Sequence, residues 1–341
     1  MVSLFELEVV PCPLCDGAEL ADPVWLRDVA LGVPGTFALT RCKRCGLWQQ
    51  NPRVRTADLP RTYPHDYPRH TGDPDLPRLL SDGGQHVRWA LATHLGYRHL
   101  SAGHPPLMSR MAARVTMRRI VETFPPWTGD GRLLDVGCAT GKYLRLMTAV
   151  GWRVAGIELD ADAAAKARMV TPDVFEGDPL DAPLAPACFD VITSFHVIEH
   201  LPDPRAALAR MLHWLAPGGL ILIEVPNIAG LGGRLFGRYW SGLDFPRHLT
   251  HFTPATMQAM VQRAGGRVVA VRHRTKPRWL IRSLRHWLRD QPGRTAHVAL
   301  HAVDSTVGSM LTKLMLELVL PAARRAGLGE MTQYVIRRAA S

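Results

Sequence analysis

At 341 residues the chain has room for one domain of about 200 residues with a sizeable core plus one or two appendages. Lys+Arg number 41 against 30 Asp+Glu, a net charge of +11 with a pI near 9.8, which points to an anionic partner such as a phosphorylated substrate, a membrane surface or nucleic acid. The start, MVSLFELEVVPCPLC, has neither a basic n-region nor a long apolar core, and no uncharged apolar run is long enough to span a bilayer. The chain is therefore expected in the cytoplasm, with its 6 cysteines as thiols or metal ligands rather than disulfides.

Cys12-Pro-Leu-Cys15 and Cys42-Lys-Arg-Cys45 are two C-x-x-C pairs, each followed closely by glycine (Gly17, Gly46), with 26 residues between them. Two thiolate pairs on tight turns can converge on one tetrahedral Zn²⁺, so residues 1–55 read as a zinc ribbon, against the alternatives of unrelated turn cysteines or a redox pair. Four thiolates fill the coordination sphere, which gives this metal a folding role and no chemistry. Residues 47–79 are rich in Pro and Arg and read as an irregular connection, with Tyr63, His65, Asp66 and Tyr67 clustered in TYPHDYP. Apolar residues at helical spacing predict helices over 86–100 and 107–124, the second stopped by Pro125-Pro126. Residues 56–127 are thus a linker and helical cap.

The organising stretch is 132–144, RLLDVGCATGKYL: a short apolar strand broken at Asp135, a small-residue turn from Gly137 to Gly141, then a helical run. Glycines let backbone amides approach a nucleotide-like ligand, and the helix start offers unpaired N–H groups. The next apolar run ends in Glu158, 21 residues beyond Gly137, where a second strand would deliver a carboxylate to ribose hydroxyls. Residues 191–195 read as another strand, and SFHVIEHL (194–201) occupies its carboxyl end, where open parallel sheets place ligands. His200 and His196 are candidate bases because imidazole titrates near neutrality, and Glu199 a candidate to orient a base or bind a hydroxyl.

This series resembles the class I S-adenosylmethionine (SAM)-dependent methyltransferases, through DVGCATG, the acid at Glu158, EGD (176–178), FDVITSFHVIEHLPDP (189–204), LAPGGLILIEVPN (215–227) and RHLTHFTP (247–254). The resemblance covers residues 130–272. It implies an α/β fold with a Rossmann-like seven-stranded sheet, its SAM-binding domain at 128–272. It also implies donor contacts from Asp135, Gly137, Cys138, Gly141, Glu158, Phe195 and, near the adenine, Asp178. EH pairs like Glu199-His200 approach the acceptor in sugar and quinone methyltransferases. The stretch with Tyr239, Trp240, Asp244, Arg247, His248 and His251 resembles that of enzymes acting on sugars or lipid-linked glycans. This makes Tyr239, Arg247 and His248 candidate substrate residues, Arg247 for a phosphate or carboxylate. Tyr63 and Tyr67 resemble tyrosines that face the acceptor in ribbon-bearing relatives, or else they anchor the linker.

Residues 273–331 read as a helical insertion before a last strand near 332–341. Residues 272–325 carry eleven Lys/Arg against three acids. In TKPRWLIRSLRHWLRD, Leu280, Leu284, Trp287 and Leu288 share one helical face and Arg278, Arg282, Arg285 and Arg289 the other. That pattern suits an anionic membrane surface at the inner face of the membrane, or equally a helical cap on its own domain or on a partner subunit. A second helix near 303–318 carries Asp304, Lys313 and Glu317, which argues against a span. The function expected is SAM-dependent methylation, at oxygen or carbon, of a small molecule such as a sugar, nucleotide sugar or lipid-linked glycan. The rivals are an RNA methyltransferase using the ribbon and basic surface, and a non-catalytic scaffold. Nucleic acid is disfavoured because the chain lacks the Asn-Pro-Pro-aromatic motif used for exocyclic base amines.

Overall fold

The computed structural model describes residues 4–63, 85–100 and 107–339; Tyr67, His65 and Asp66 lie outside them. The N-terminal region contributes strands β1 (Leu7–Glu8), β2 (Val24–Leu26), β3 (Phe37–Arg41), β4 (Trp48–Gln50) and β5 (Arg53–Val54). Two helices follow, α1 (Gln85–His94) and α2 (Leu107–Thr123), close to the predicted spans.

The main sheet begins with β6 (Arg132–Val136), and α3 (Lys142–Thr148) leads to β7 (Arg153–Glu158). Then come α4 (Ala161–Ala167), β8 (Val174–Glu176), β9 (Phe189–Phe195), α5 (Pro204–Trp214) and β10 (Leu215–Pro226). Helix α5 starts where Asp203 caps it and Pro204 presets φ at its first position; its Asp203 side chain accepts from the Ala206 amide.

A short helix α6 (Leu231–Phe236), strand β11 (Thr250–His251), helix α7 (Pro254–Arg263) and strand β12 (Gly266–Arg274) follow. Thr253 and Thr256 form a reciprocal capping box on α7, as the Thr-Pro start predicts. The insertion is three helices, α8 (Pro277–Arg289), α9 (Arg294–Asp304) and α10 (Thr306–Arg325), before β13 (Met331–Arg338).

The seven-stranded sheet has the order β12-β13-β10-β9-β6-β7-β8. Strands β6–β10 run parallel, while β13 pairs antiparallel to both β10 and β12. Strand order reverses between β6 and β9, so their carboxyl ends flank the crevice in which such sheets hold ligands. The seven-stranded α/β expectation is met, the last strand running over Met331–Arg338.

The ribbon is not a detached module. Strand β11, which follows the parallel strands in the chain, pairs with β4, making the N-terminal sheet β11-β4-β3-β2. Cys12, Cys15, Cys42, Leu14 and Leu47 share one apolar core with Phe252, Met257 and Met260. The domain boundary expected at residue 55 is therefore crossed by a strand from residue 250.

In the insertion, α8 buries Leu280, Ile281 and Leu288 against its own chain and leaves Arg278, Arg282 and Arg289 exposed. The Ser241 amide donates to Ser283 Oγ at 2.9 Å, and Ser241 Oγ donates to the Trp279 carbonyl. On this helix Leu280, Ile281 and Leu288 are thus taken up by the chain itself, while Trp287 of the same apolar face stays exposed. Helix α10 differs: by length and composition it could cross a membrane, and little of it is buried.

Candidate active site

The expected donor side is built from neighbouring residues. Gly137 (φ +78°), Ala139 (φ +48°) and Gly141 (φ +75°) turn the chain through left-handed conformations between β6 and α3. A Cβ on Gly137 would lie 2.3 Å from Val197 Cγ2, so the turn has to be glycine there to fit under the β9 loop. Gly137 and Cys138 amides both donate to the Ile157 carbonyl, fixing the turn to the end of β7. Glu158 Oε2 accepts from the Ala139 amide (2.8 Å) and Oε1 from the Asp160 amide (3.0 Å), which aims its carboxylate at the turn.

Asp135 is buried, accepts from Thr193 Oγ1 at 2.6 Å, and has its carboxyl pushed up to about 7 by burial. Phe195 meets Tyr143 edge-on at 5.3 Å. Cys138 turns its side chain inward against Gly156, so it offers the turn its backbone only. Asp178 stands beyond β8 and accepts from its own turn, the Leu180 amide, at 2.8 Å.

The expected acceptor side gathers distant residues. His200 Nδ1 is 3.0 Å from the Arg247 carbonyl and 3.1 Å from the Tyr63 hydroxyl. A carbonyl can only accept, so Nδ1 carries the proton and Nε2 keeps its lone pair. His248 is arranged alike, with Nδ1 donating to the Gly242 carbonyl at 2.9 Å and its ring 4.5 Å from that of His200. Burial and the neighbouring His248 hold His200 down to about 4, and the same two causes hold His251 to about 3. Both rings are therefore neutral at physiological pH.

Glu199 is buried, and neither of its carboxylate oxygens makes a hydrogen bond among the described residues. His196 Nδ1 stands 3.5 Å from Oε1 and His248 Nε2 3.9 Å. Glu199, His200 and His248 each bring one ligand atom within 4.8 Å of the others, a spacing that a divalent cation could bridge.

His196 is different again. Burial pulls its pKa down, but Glu199 and Glu224 outweigh that and raise it to about 9, so it stands as an imidazolium between two carboxylates. Arg274 pairs in turn with Glu224 and Glu122, and Trp279 of α8 covers His196 at 5.8 Å between ring centroids. This cation cannot accept a proton, which corrects the expectation that His196 serves as a base.

Two expected substrate residues have other work. Arg247 has a fully buried side chain whose guanidinium donates to Asp28, Asp244 and the carbonyls of Thr62 and Phe245. Burial works against its charge, but Asp244 and Asp28 raise its pKa, so it is a permanent cation joining ribbon, linker and loop. The expectation that Arg247 receives a substrate anion is corrected accordingly. Tyr239 is likewise buried, and its hydroxyl bonds Asp290 at the end of α8 and accepts from Arg238. It ties the insertion down rather than facing an acceptor.

Thr193, Glu224, Arg274, Trp279 and Asp28 escaped sequence reading. One signal was present: Glu224 is a lone acid inside the apolar run LILIEV.

Near the N-terminus, Cys12, Cys15, Cys42 and Cys45 bring their sulfurs within 4.8 Å of one another, with Cys12–Cys45 and Cys15–Cys42 each at 3.5 Å. A tetrahedral ion with metal–sulfur bonds of about 2.3 Å needs sulfurs roughly 3.8 Å apart, so the donor set fits zinc. Asp16 (φ +59°) and Gly46 (φ +76°) give the two knuckles their left-handed bends.

Residues 107–271 match the family described as a methyltransferase domain. The chain is 31% identical over 160 residues to a Mycolicibacterium smegmatis protein described as a probable S-adenosylmethionine-dependent methyltransferase, covering 46% of this chain and 56% of that one. It is 34% identical over 119 residues to the ubiquinone biosynthesis O-methyltransferase of Thiobacillus denitrificans (32% and 50% covered). It is 32% identical over 127 residues to the malonyl-[acyl-carrier protein] O-methyltransferase of Serratia marcescens (37% and 49% covered). The chain thus spans about half the length of these relatives. Among solved structures, an S-adenosylmethionine-dependent methyltransferase from Mesorhizobium loti aligns with a TM-score of 0.42 and 16% identity, over 66% of this chain and 98% of that one. Residues 107–271 are thus similar to a methyltransferase domain, and one relative is described as a probable S-adenosylmethionine-dependent methyltransferase.

Proposed function

We propose that this chain transfers a methyl group from SAM to an oxygen of a small molecule, a sugar, nucleotide sugar or lipid-linked glycan being the acceptor class. The observation that carries the reading is the contact of Gly137 with Val197: the donor turn and the Val197–His200 turn pack against each other, so donor and proton acceptor adjoin. When bound, SAM supplies an electrophilic methyl on a sulfonium leaving group, and the protein supplies alignment. Asp135, Gly137, the Cys138 backbone, Gly141, Glu158, Asp178 and Phe195 would hold it, with Glu158 exchanging backbone amides for ribose hydroxyls.

His200 Nε2 then takes the acceptor's proton, its ring oriented through Nδ1 by the Arg247 carbonyl and Tyr63. Glu199 steadies the imidazolium that forms. His248 shapes the acceptor's floor. Support for an oxygen acceptor comes from the O-methyltransferases among the relatives, and support for a sugar from the sequence resemblance around residues 239–252. We also infer that the four thiolates hold a structural zinc, which folds the ribbon and takes no part in transfer.

Calorimetry and a labelled-methyl assay over an acceptor panel test the reading. SAM or its demethylated product should bind, and His200→Ala should lower turnover by roughly 10²–10⁴-fold with donor affinity kept. Absence of donor binding by folded protein, or full turnover in His200→Ala, refutes it. Cys42→Ser should bring zinc content toward zero; full stoichiometry in that variant refutes the ribbon site.

A further inference from the structure

Helix α10 is amphipathic with its apolar side turned outward. Met310, Leu311, Leu314, Met315, Leu318 and Val319 are 52–73% exposed and fall on one half of the helix circumference, while Leu320 and Ala323 on the opposite side are buried. Neighbouring α2, whose Arg118 is close enough to act on Arg324 of α10, also exposes Leu107, Met108 and Met111. A continuous apolar stripe of this extent on a helix is not left to water without a reason.

The surroundings select the occupant. Arg278, Arg282, Arg289, Arg294, Lys313 and Arg325 are exposed around the insertion, in a segment with eleven basic residues against three acids. A second copy of the chain would bring two such surfaces together and set like charges face to face, whereas anionic lipid headgroups neutralise them.

The topology selects the depth. Arg274 of β12 pairs with Met331 of β13, so both ends of the insertion leave the sheet at one place. Were α10 to span, its start would lie about 30 Å away, and α9, about 16 Å long with Arg294 and Asp304 at its ends, would have to enter the bilayer to reach it from the anchored α8. Lys313 and Glu317 lie off the stripe at mid-helix, exposed, where a spanning helix would have to bury them.

We propose that α10 lies in the headgroup layer of an anionic bilayer, its apolar stripe inserted and the basic residues of the insertion on the lipid phosphates. This inference is independent of the reaction proposed above. Flotation of the full chain with phosphatidylcholine–phosphatidylglycerol vesicles at low salt should carry it upward, with at least tenfold less on phosphatidylcholine alone. Leu314→Glu with Leu318→Glu should abolish flotation while leaving the thermal midpoint unchanged. In the unaltered chain, vesicles should shield Met310 and Met315 from peroxide oxidation.

Protein that stays at the bottom with anionic vesicles overturns the proposal. So does equal flotation of the double variant, methionine oxidation unaffected by lipid, or a vesicle-independent dimer that the double variant dissociates.

Discussion

The two halves of the candidate site are constructed in opposite ways. The donor half is local: Asp135, Gly137, Ala139, Gly141 and Glu158 come from one strand–turn–helix–strand stretch, and its central contacts are main-chain amides. The acceptor half draws on residues from Asp28 to Trp279, held by buried charges: Arg247 between Asp28 and Asp244, and His196 between Glu199 and Glu224. Amide contacts inside one motif tolerate loss of a side chain. Buried charge networks do not, because each member left behind keeps its desolvation cost. The acceptor half should therefore couple to global stability, and the donor half chiefly to ligand affinity.

The largest effect expected is from Arg247→Leu, which leaves Asp28 and Asp244 without their shared cation and should cost about 3–5 kcal/mol in urea unfolding. A loss below about 1 kcal/mol would break the contrast. Glu158→Ala should leave the unfolding midpoint nearly unchanged but weaken SAM in calorimetry by roughly tenfold to a hundredfold, the value of charged hydrogen bonds worth about 1.5–3 kcal/mol.

A pH series sharpens the comparison. His196 has a folded pKa near 9, above its ordinary 6.5, so the stabilisation it confers is complete below about 6.5 and is lost as pH rises through 9. His200 and His251, held near 4 and 3, act in the other direction, conferring stability above 6.5 that is lost on acidification. Urea midpoints should fall at both ends, and His196→Gln should flatten the alkaline limb alone. The smallest effect is expected from Thr193→Val, about 1 kcal/mol, through the hydrogen bond to buried Asp135.

The same contrast decides what was legible beforehand. The glycine turn, Glu158 and the C-x-x-C pairs are short-range patterns whose spacing alone restricts their geometry, and the sheet follows from the order of apolar runs. Arg247 was misread because an arginine in a polar loop looks solvated; only the fold brings Asp28, 219 residues away, to its guanidinium. His196 and His200 differ by four positions and cannot be told apart by residue type. What separates them is Glu224, delivered from the adjacent strand, where Glu224 pairs in register with Phe195. In α8 the amphipathic period was read correctly, but periodicity does not say which surface an apolar face will meet. Here the helix meets the loop at Tyr239–Ser241, while Trp287 of its apolar face stays exposed.

The loan of Thr250–His251 to the β4 edge has a practical corollary for protein engineering. A shortened variant starting after Val54 would strip hydrogen-bonding partners from that pair of residues and remove Asp28 from its arginine, inviting aggregation. Grafting the ribbon onto a ribbonless enzyme should fail for the reciprocal reason, since the graft would arrive one strand short.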